Sequence, residues 1–157
     1  MAAGEGGKGW IDRDLFLKIR ESMPLASVDI LAVHEGRLLL MRRANNPGKG
    51  VWFLPGGRIR YRETIEEAVL RELDEETGLA ALKIEAKGSM THFWSDAHYV
   101  TTIHRVDVAG SEVAMDDEHD AYTWVSELPD DVHPLVREMA ERAGIFEKLE
   151  GGPAPRS

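Results

Sequence analysis

The segment from Gly57 to Leu79, GRIRYRETIEEAVLRELDEETGL, constrains this chain more than any other. Thr64 followed three residues later by Glu67 is a capping box, and Gly78 is a stop, so the spacing predicts one helix between them. At 3.6 residues per turn, Glu72, Glu75 and Glu76 fall within about a third of the helix circumference. They crowd the last turn. The macrodipole there is negative, and like charges at this spacing repel by about a few tenths of a kcal/mol per pair. A divalent cation reverses the sign of that cost, because hard cations such as magnesium take carboxylate oxygens.

The simpler reading of the same segment is a solvated acidic face, with Arg71 paired to Glu75 one turn on. Azimuth argues against it. Glu76 falls on nearly the same side as Ile65 and Val69, which with Leu73 form the expected buried stripe. The carboxylates are therefore expected to border the core and to form a metal site.

The 157 residues, 43% of them apolar, suit one compact domain. The absence of cysteine excludes disulfides, thiolate metal sites and a cysteine nucleophile. No apolar run reaches the roughly 18 residues of a membrane span, and the opening MAAGEGGKG lacks a signal-peptide core, so the expectation is a cytoplasmic protein without membrane contact. A formal charge of -9 disfavours a nucleic-acid partner, which needs clustered Lys and Arg. Much of the acid lies between Glu63 and Glu76 and in MDDEHD, residues 115–120. That distribution suits two acidic elements meeting at a cation; a generally acidic, solubilising surface is the alternative.

Residues 1–9 and 150–157 are rich in Gly, Pro and Ala and are expected to be disordered tails around a domain spanning 10–149. Residues 11–23 read as a helix with Leu15, Ile19 and Met23 on one stripe, which packs on the core or, as a homodimer contact, on a second copy. Two apolar runs, 25–33 and 37–43, flank His34-Glu35-Gly36 as a hairpin. A short strand over 51–54 leads into Pro55-Gly56-Gly57, a turn that needs glycine or brings backbone close to a ligand. Strands are expected over 82–93, 99–108 and 122–125, and a closing helix over 132–149. This order implies an α/β sandwich with a mixed sheet between helices.

The fixed residues of the first segment are Gly57, Glu63, Arg71, Glu72, Leu73, Glu75, Glu76, Gly78 and Leu79, and their spacing fills every fixed position of the Nudix hydrolase signature. The chain thus resembles the Nudix hydrolases. The resemblance implies the Nudix fold, a magnesium or manganese cofactor held by Glu72, Glu75 and Glu76 beside a diphosphate, and a small-molecule nucleotide diphosphate as substrate. It also implies that Glu63 and Arg71 pair to shape the motif with Gly57 and Gly78. Within the family, PLASVDI, LLLMRRANNPGKGVWFLPGGR and DDEHDAYTWV are similar to the GDP-mannose mannosyl hydrolase branch, over residues 24–125. Carried over by position, that likeness implies metal ligation by the Gly56 carbonyl, Glu76 and the side chain of Glu118, with His119 as general base. The same likeness implies that Arg43 and Arg58 contact the diphosphate and that Asp29 lies near the sugar, and it places His92 and Tyr99 where that branch contacts substrate.

Each residue also has a plainer reading. Arg43 and Arg58 are charges flanking a Gly-rich turn, where guanidinium groups reach an anion. Asp29 interrupts an apolar run, which is costly unless the carboxylate is paired or faces a ligand. For His92 and Tyr99, packing is the simpler reading. Other histidines, among them His34, His98, His104 and His133, carry no such context, whereas His119 lies among carboxylates.

The chain departs from the mannosyl branch by retaining Glu72 and Glu75 and by carrying Glu118 where that branch has glutamine. Two chemistries therefore compete. In one, His119 takes a proton from water attacking the anomeric carbon and the sugar is released. In the other, a motif glutamate such as Glu75, or Glu118, activates water that attacks phosphorus and the P–O–P bond breaks. A non-catalytic nucleotide-sugar sensor is a third expectation, disfavoured because the motif glutamates are intact.

Overall fold

The computed structural model describes residues 10–146. The two expected tails and the end of the expected closing helix, residues 147–149, lie outside the described residues. Helix α1 (Arg13–Ser22) is capped by Asp12, whose side chain accepts from the Leu15 amide, so it begins two residues later than expected. Strands β1 (Leu25–His34) and β2 (Arg37–Arg43) form the expected hairpin. Next come the short strands β3 (Trp52–Phe53) and β4 (Gly56–Arg58) and helix α2 (Ile65–Thr77). Strands β5 (Ala81–Trp94), β6 (Ala97–Val108) and β7 (His119–Val125), then helix α3 (Pro134–Arg142), complete the order.

The seven strands form one mixed sheet with the path β3-β2-β1-β6-β5, to which β4 adds on β1 and β7 adds on β2. β1 runs parallel to β6 from Leu25 opposite Tyr99 to Val33 opposite Asp107. The strand is apolar almost throughout because both of its faces are covered. Val28, Ile30 and Ala32 pack with Ala68, Val69 and Leu73 of α2, while Leu31 and Val33 pack with Val136, Met139 and Ala140 of α3. β2 alternates in the same way, with Leu39 and Met41 on the α2 side and Leu38 and Leu40 on the α3 side. The fold is therefore the expected α/β sandwich.

β1 and β2 pair beside their turn at Val33–Leu38 and His34–Arg37, after which β2 takes β7 and the first half of β1 takes β4. That exchange brings Gly56 opposite Asp29 and carries the Gly-rich turn alongside α2. Three expectations need correction. The closing helix spans 134–142 rather than 132–149, because Ala143 caps it and Gly144 turns the chain at φ 66°. Ile65 is 44% exposed, because it lines an open groove with Leu70, Ile84 and His104 instead of entering the core, so the buried stripe starts at Ala68 and Val69. β7 begins at His119 rather than 122, because Arg42 and Arg43 extend the β2 pairing through a bulge to Ala121 and His119. No residue of α1 is buried, and Leu15 and Met23 are 48% and 56% exposed.

Candidate active site

The last turn of α2 forms where the sequence requires it: Thr64 and Glu67 satisfy each other's backbone amides, and Gly78 closes the helix in the left-handed conformation at φ 66°. Glu76 points inward and is 3% exposed. Its Oε2 accepts from the Gly56 amide at 2.8 Å. Burial pushes its carboxyl well above the usual range, and the charges of Glu72, Glu118 and Asp116 push the same way. A side chain at position 56 would strike the Val28 carbonyl oxygen, so only glycine lets this turn approach β1 closely enough for the bond.

Arg71 gathers the remaining motif acids. Its guanidinium donates to both oxygens of Glu63 at 2.6 and 2.9 Å, to Glu72 at 2.7 Å, to Glu75 at 3.3 Å and to the Arg58 carbonyl at 3.0 Å. Glu63 also accepts from the Arg60 amide at 3.0 Å, and Arg71 holds its carboxyl below the usual range. The Arg71–Glu75 contact that belonged to the simpler reading is thus present, as the longest arm of a fork centred on Glu63 and Glu72. Arg60 adds a second contact to Glu75 at 3.6 Å. Burial raises the Glu72 carboxyl, with the Arg71 bond opposing.

The second acidic element reaches the same place from the other side. Ligand atoms of Glu76, Asp116 and His119 lie within 4.8 Å of one another. Asp116 Oδ1 is 2.9 Å from His119 Nδ1 and accepts from the Glu118 amide at 3.2 Å. The Glu118 side chain is exposed, and its charge acts on Glu72 and Glu76. Sequence reasoning did not single out Asp116. The signal was its place three residues before His119 in the same acidic run. The donor set fits a divalent cation: Glu76 is a buried carboxylate bonded by a neutral amide and surrounded by other carboxylates, a state that a bound cation stabilises.

A third group lines the adjoining strands. Asp29 is buried, Thr101 donates to its Oδ2 at 2.6 Å, and burial lifts its carboxyl to about 6. His92 Nε2 lies 3.9 Å from that oxygen, and the imidazole stacks on Tyr99 at 5.2 Å. The Ser27 hydroxyl and His92 Nδ1 are buried without a hydrogen-bond partner in the same group. Arg43 sits opposite His119 in the β2–β7 register, with its guanidinium over Trp94 and bonded to the Pro47 carbonyl at 2.8 Å. Arg58 lies in β4 with its guanidinium over Phe16, and burial lowers its pKa, with Arg60 and Arg71 acting the same way.

Comparison with known proteins identifies the family. The NUDIX domain family matches residues 23–149. A low-salt glycan biosynthesis protein of Haloferax volcanii, Agl8, is 32% identical over 134 residues, covering 80% of this chain and 86% of its own. An ADP-ribose pyrophosphatase of Methanocaldococcus jannaschii is 37% identical over 97 residues, covering 60% and 57%. The crystal structure of a MutT protein from Methanosarcina mazei superposes with a TM-score of 0.71 at 28% identity, covering 81% of this chain and 98% of that one. Nudix hydrolases use divalent metal ions and act on small-molecule nucleotides, and among the described residues no helix is long and apolar enough to cross a membrane. The chain belongs to the NUDIX domain family and is a Nudix hydrolase.

Proposed function

We propose that this enzyme hydrolyses a nucleoside diphosphate linked to a sugar, GDP-mannose being the type substrate, with magnesium as cofactor and manganese as its substitute, and that it releases the sugar. The observation that carries the reading is the buried His119, within 4.8 Å of Glu76 and hydrogen-bonded to Asp116. A histidine so placed is a ready general base, which water activated at a metal centre by carboxylates does not require.

Gly56, Glu72, Glu76 and Glu118 are the residues that would hold the metal, with Glu75 at the rim. When bound, the cation supplies the positive charge that holds the diphosphate and makes it a better leaving group. The chain's own residues do the rest. Arg43 and Arg58 bind the diphosphate oxygens, and Asp29, Tyr99 and His92 face the sugar. His119 takes a proton from the water; the water oxygen bonds to the anomeric carbon, and the bond from that carbon to the diphosphate oxygen breaks with its electron pair on the diphosphate. The name of the Haloferax relative, a glycan biosynthesis protein, suits a nucleotide-sugar substrate.

The competing reading is cleavage at phosphorus, with Glu75 or Glu118 activating the water; the intact acids and the pyrophosphatase name of the Methanocaldococcus relative favour it. Against it, Glu72 and Glu75 each commit an oxygen to Arg71. Hydrolysis in oxygen-18 water separates the two: label in the released sugar supports attack at carbon, and label in a phosphate product rejects it. His119→Gln is expected to cost about 10²–10⁴-fold in rate. A homodimer through α1 in the cytoplasm belongs to the same proposal, supported by the exposure of Leu15 and Met23; a monomeric mass in solution rejects the dimer.

A further inference from the structure

The loop that carries His119 is fastened at both ends. The Ala114 amide donates to the Thr77 carbonyl at the end of α2 at 2.9 Å, and the Ala44 amide after β2 donates to the Glu118 carbonyl at 2.8 Å. Asn45 adds a side-chain bond to the Asp117 carbonyl at 3.2 Å, and on the far side of His119 the guanidinium of Arg42 holds Asp120 at 2.6 Å. Within this frame one carboxylate oxygen, Asp116 Oδ1, meets both the Glu118 amide and His119 Nδ1. The amide contact spans two residues and fixes the carboxylate against its own loop, so the imidazole meets an acceptor that is already in place.

Imidazole has one proton to place between two nitrogens when neutral, and the partner of one nitrogen decides the state of the other. A carboxylate can only accept, so the bond at 2.9 Å requires the hydrogen on Nδ1. We propose that Asp116 is the positioning residue of His119: its carboxylate takes the Nδ1 hydrogen, fixes the ring and leaves the Nε2 lone pair to receive the proton of the attacking water. The inference rests on the reading of His119 as base. It separates Asp116, which acts through the imidazole, from Glu76, which acts on the cation. On this view the acidic run 116–120 is divided by function. Asp116 orients the base, Glu118 faces the metal basin and Asp120 anchors the strand through Arg42.

The contact is read without turnover by nitrogen-15 NMR of the metal-free protein in alkaline buffer. Wild type is expected to carry the hydrogen on Nδ1, and Asp116→Ala to shift His119 toward the Nε2–H form usual for free imidazole, while the backbone amide spectrum remains folded. Asp116→Asn, which keeps an acceptor oxygen, should restore part of the wild-type tautomer. In the magnesium-loaded enzyme with GDP-mannose, Asp116→Ala is expected to lower kcat by about 10–100-fold, the usual worth of such a partner, with KM little changed. Manganese affinity should stay within about threefold of wild type, and Asp116→Ala added to His119→Gln should cost nothing further. An unchanged tautomer in Asp116→Ala overturns the proposal, as does manganese affinity falling in step with kcat, which would make Asp116 a ligand. The two failures are distinct: His119→Gln slowing turnover by less than tenfold removes the base itself, whereas strong slowing by His119→Gln with wild-type behaviour of Asp116→Ala removes only this role of Asp116.

Discussion

The Gly56 amide donates to Glu76 Oε2 at 2.8 Å while the same glycine pairs with Asp29 across the β1–β4 ladder. One residue without a side chain thus ties the end of the motif helix to the central strand. Two buried acids flank it, and both have raised pKa values for the same first cause, burial.

Glu76→Gln is expected to do opposite things to stability and to activity. A carboxyl whose folded pKa is raised contributes stability below its unfolded pKa near 4.3, and that contribution is lost as pH rises through the folded value. At pH 7.5 without metal the glutamine variant should therefore melt above wild type. Magnesium should raise the wild-type melting temperature, by about 2.7 kcal/mol of binding linkage at a hundred times Kd, and leave the variant nearly unmoved. Turnover of the variant should fall by at least about two orders of magnitude. Full wild-type turnover in excess chelator ends the metal assignment.

Glu63→Gln should act on the fold. Both partners of the Glu63–Arg71 fork are mostly covered, and Arg71 also supports Glu72 and the Arg58 carbonyl. Loss of the charge should cost about 1–3 kcal/mol, below the range for a fully buried pair. Because Arg71 lowers the Glu63 pKa, this stability is present above the unfolded pKa near 4.3 and is lost as pH falls through the lower folded value. The gap in melting temperature between variant and wild type should accordingly narrow as pH falls below the unfolded pKa and close once it passes the lowered folded one. A variant with normal melting and normal metal affinity but no turnover would place Glu63 in the chemistry instead.

The parts of this molecule legible in its sequence are those set by neighbours along the chain. The α2 caps, the Gly78 stop and the inward turn of Glu76 follow from helix periodicity alone, because each depends on residues within one turn or two. The β1–β2 hairpin was legible for the same reason. The parallel β1–β6 pairing was not, since it joins residues more than seventy positions apart and no local pattern encodes which strand lies beside which. His119 could be marked as interesting by its acidic company, but its partner could not, because a loop has no period to tell Asp116 from Asp117, Glu118 or Asp120. Ile65 was misplaced by a rule that works inside a helix and weakens at its first turn, where the residue borders an open groove.

Asp29 offers a pH signature. Its carboxyl is lifted to about 6 from 3.8, so the folded protein holds its proton more tightly than the unfolded chain. Its stabilising contribution is present below about pH 4 and is lost as pH rises through 6, a difference on the order of 3 kcal/mol. Asp29→Asn keeps an oxygen to accept from Thr101 and carries no charge. It should melt higher than wild type at pH 8, and the advantage should shrink toward zero near pH 4. An advantage independent of pH would mean that Asp29 is not the group losing its proton.

Gly56→Ala and Gly57→Ala, adjacent and chemically identical changes, should fail in different ways. At 56 the new methyl would meet the Val28 carbonyl, which is main chain in the central strand and cannot yield without breaking the β1–β4 pairing. At 57 it would meet the Glu72 carboxylate, the far end of a flexible side chain. Gly56→Ala should therefore destabilise the protein by several kcal/mol, on the scale of other backbone collisions in a packed interior. Gly57→Ala should cost about 1 kcal/mol, as Glu72 swings away and gives up its 2.7 Å bond to Arg71. The displaced carboxylate is one of the proposed ligands, so Gly57→Ala should lower manganese affinity more than it lowers the melting temperature, and Gly56→Ala should do the reverse. Titration calorimetry and thermal melts on the pair check the ordering, and equal losses in both quantities would show that Glu72 plays no part in holding the metal.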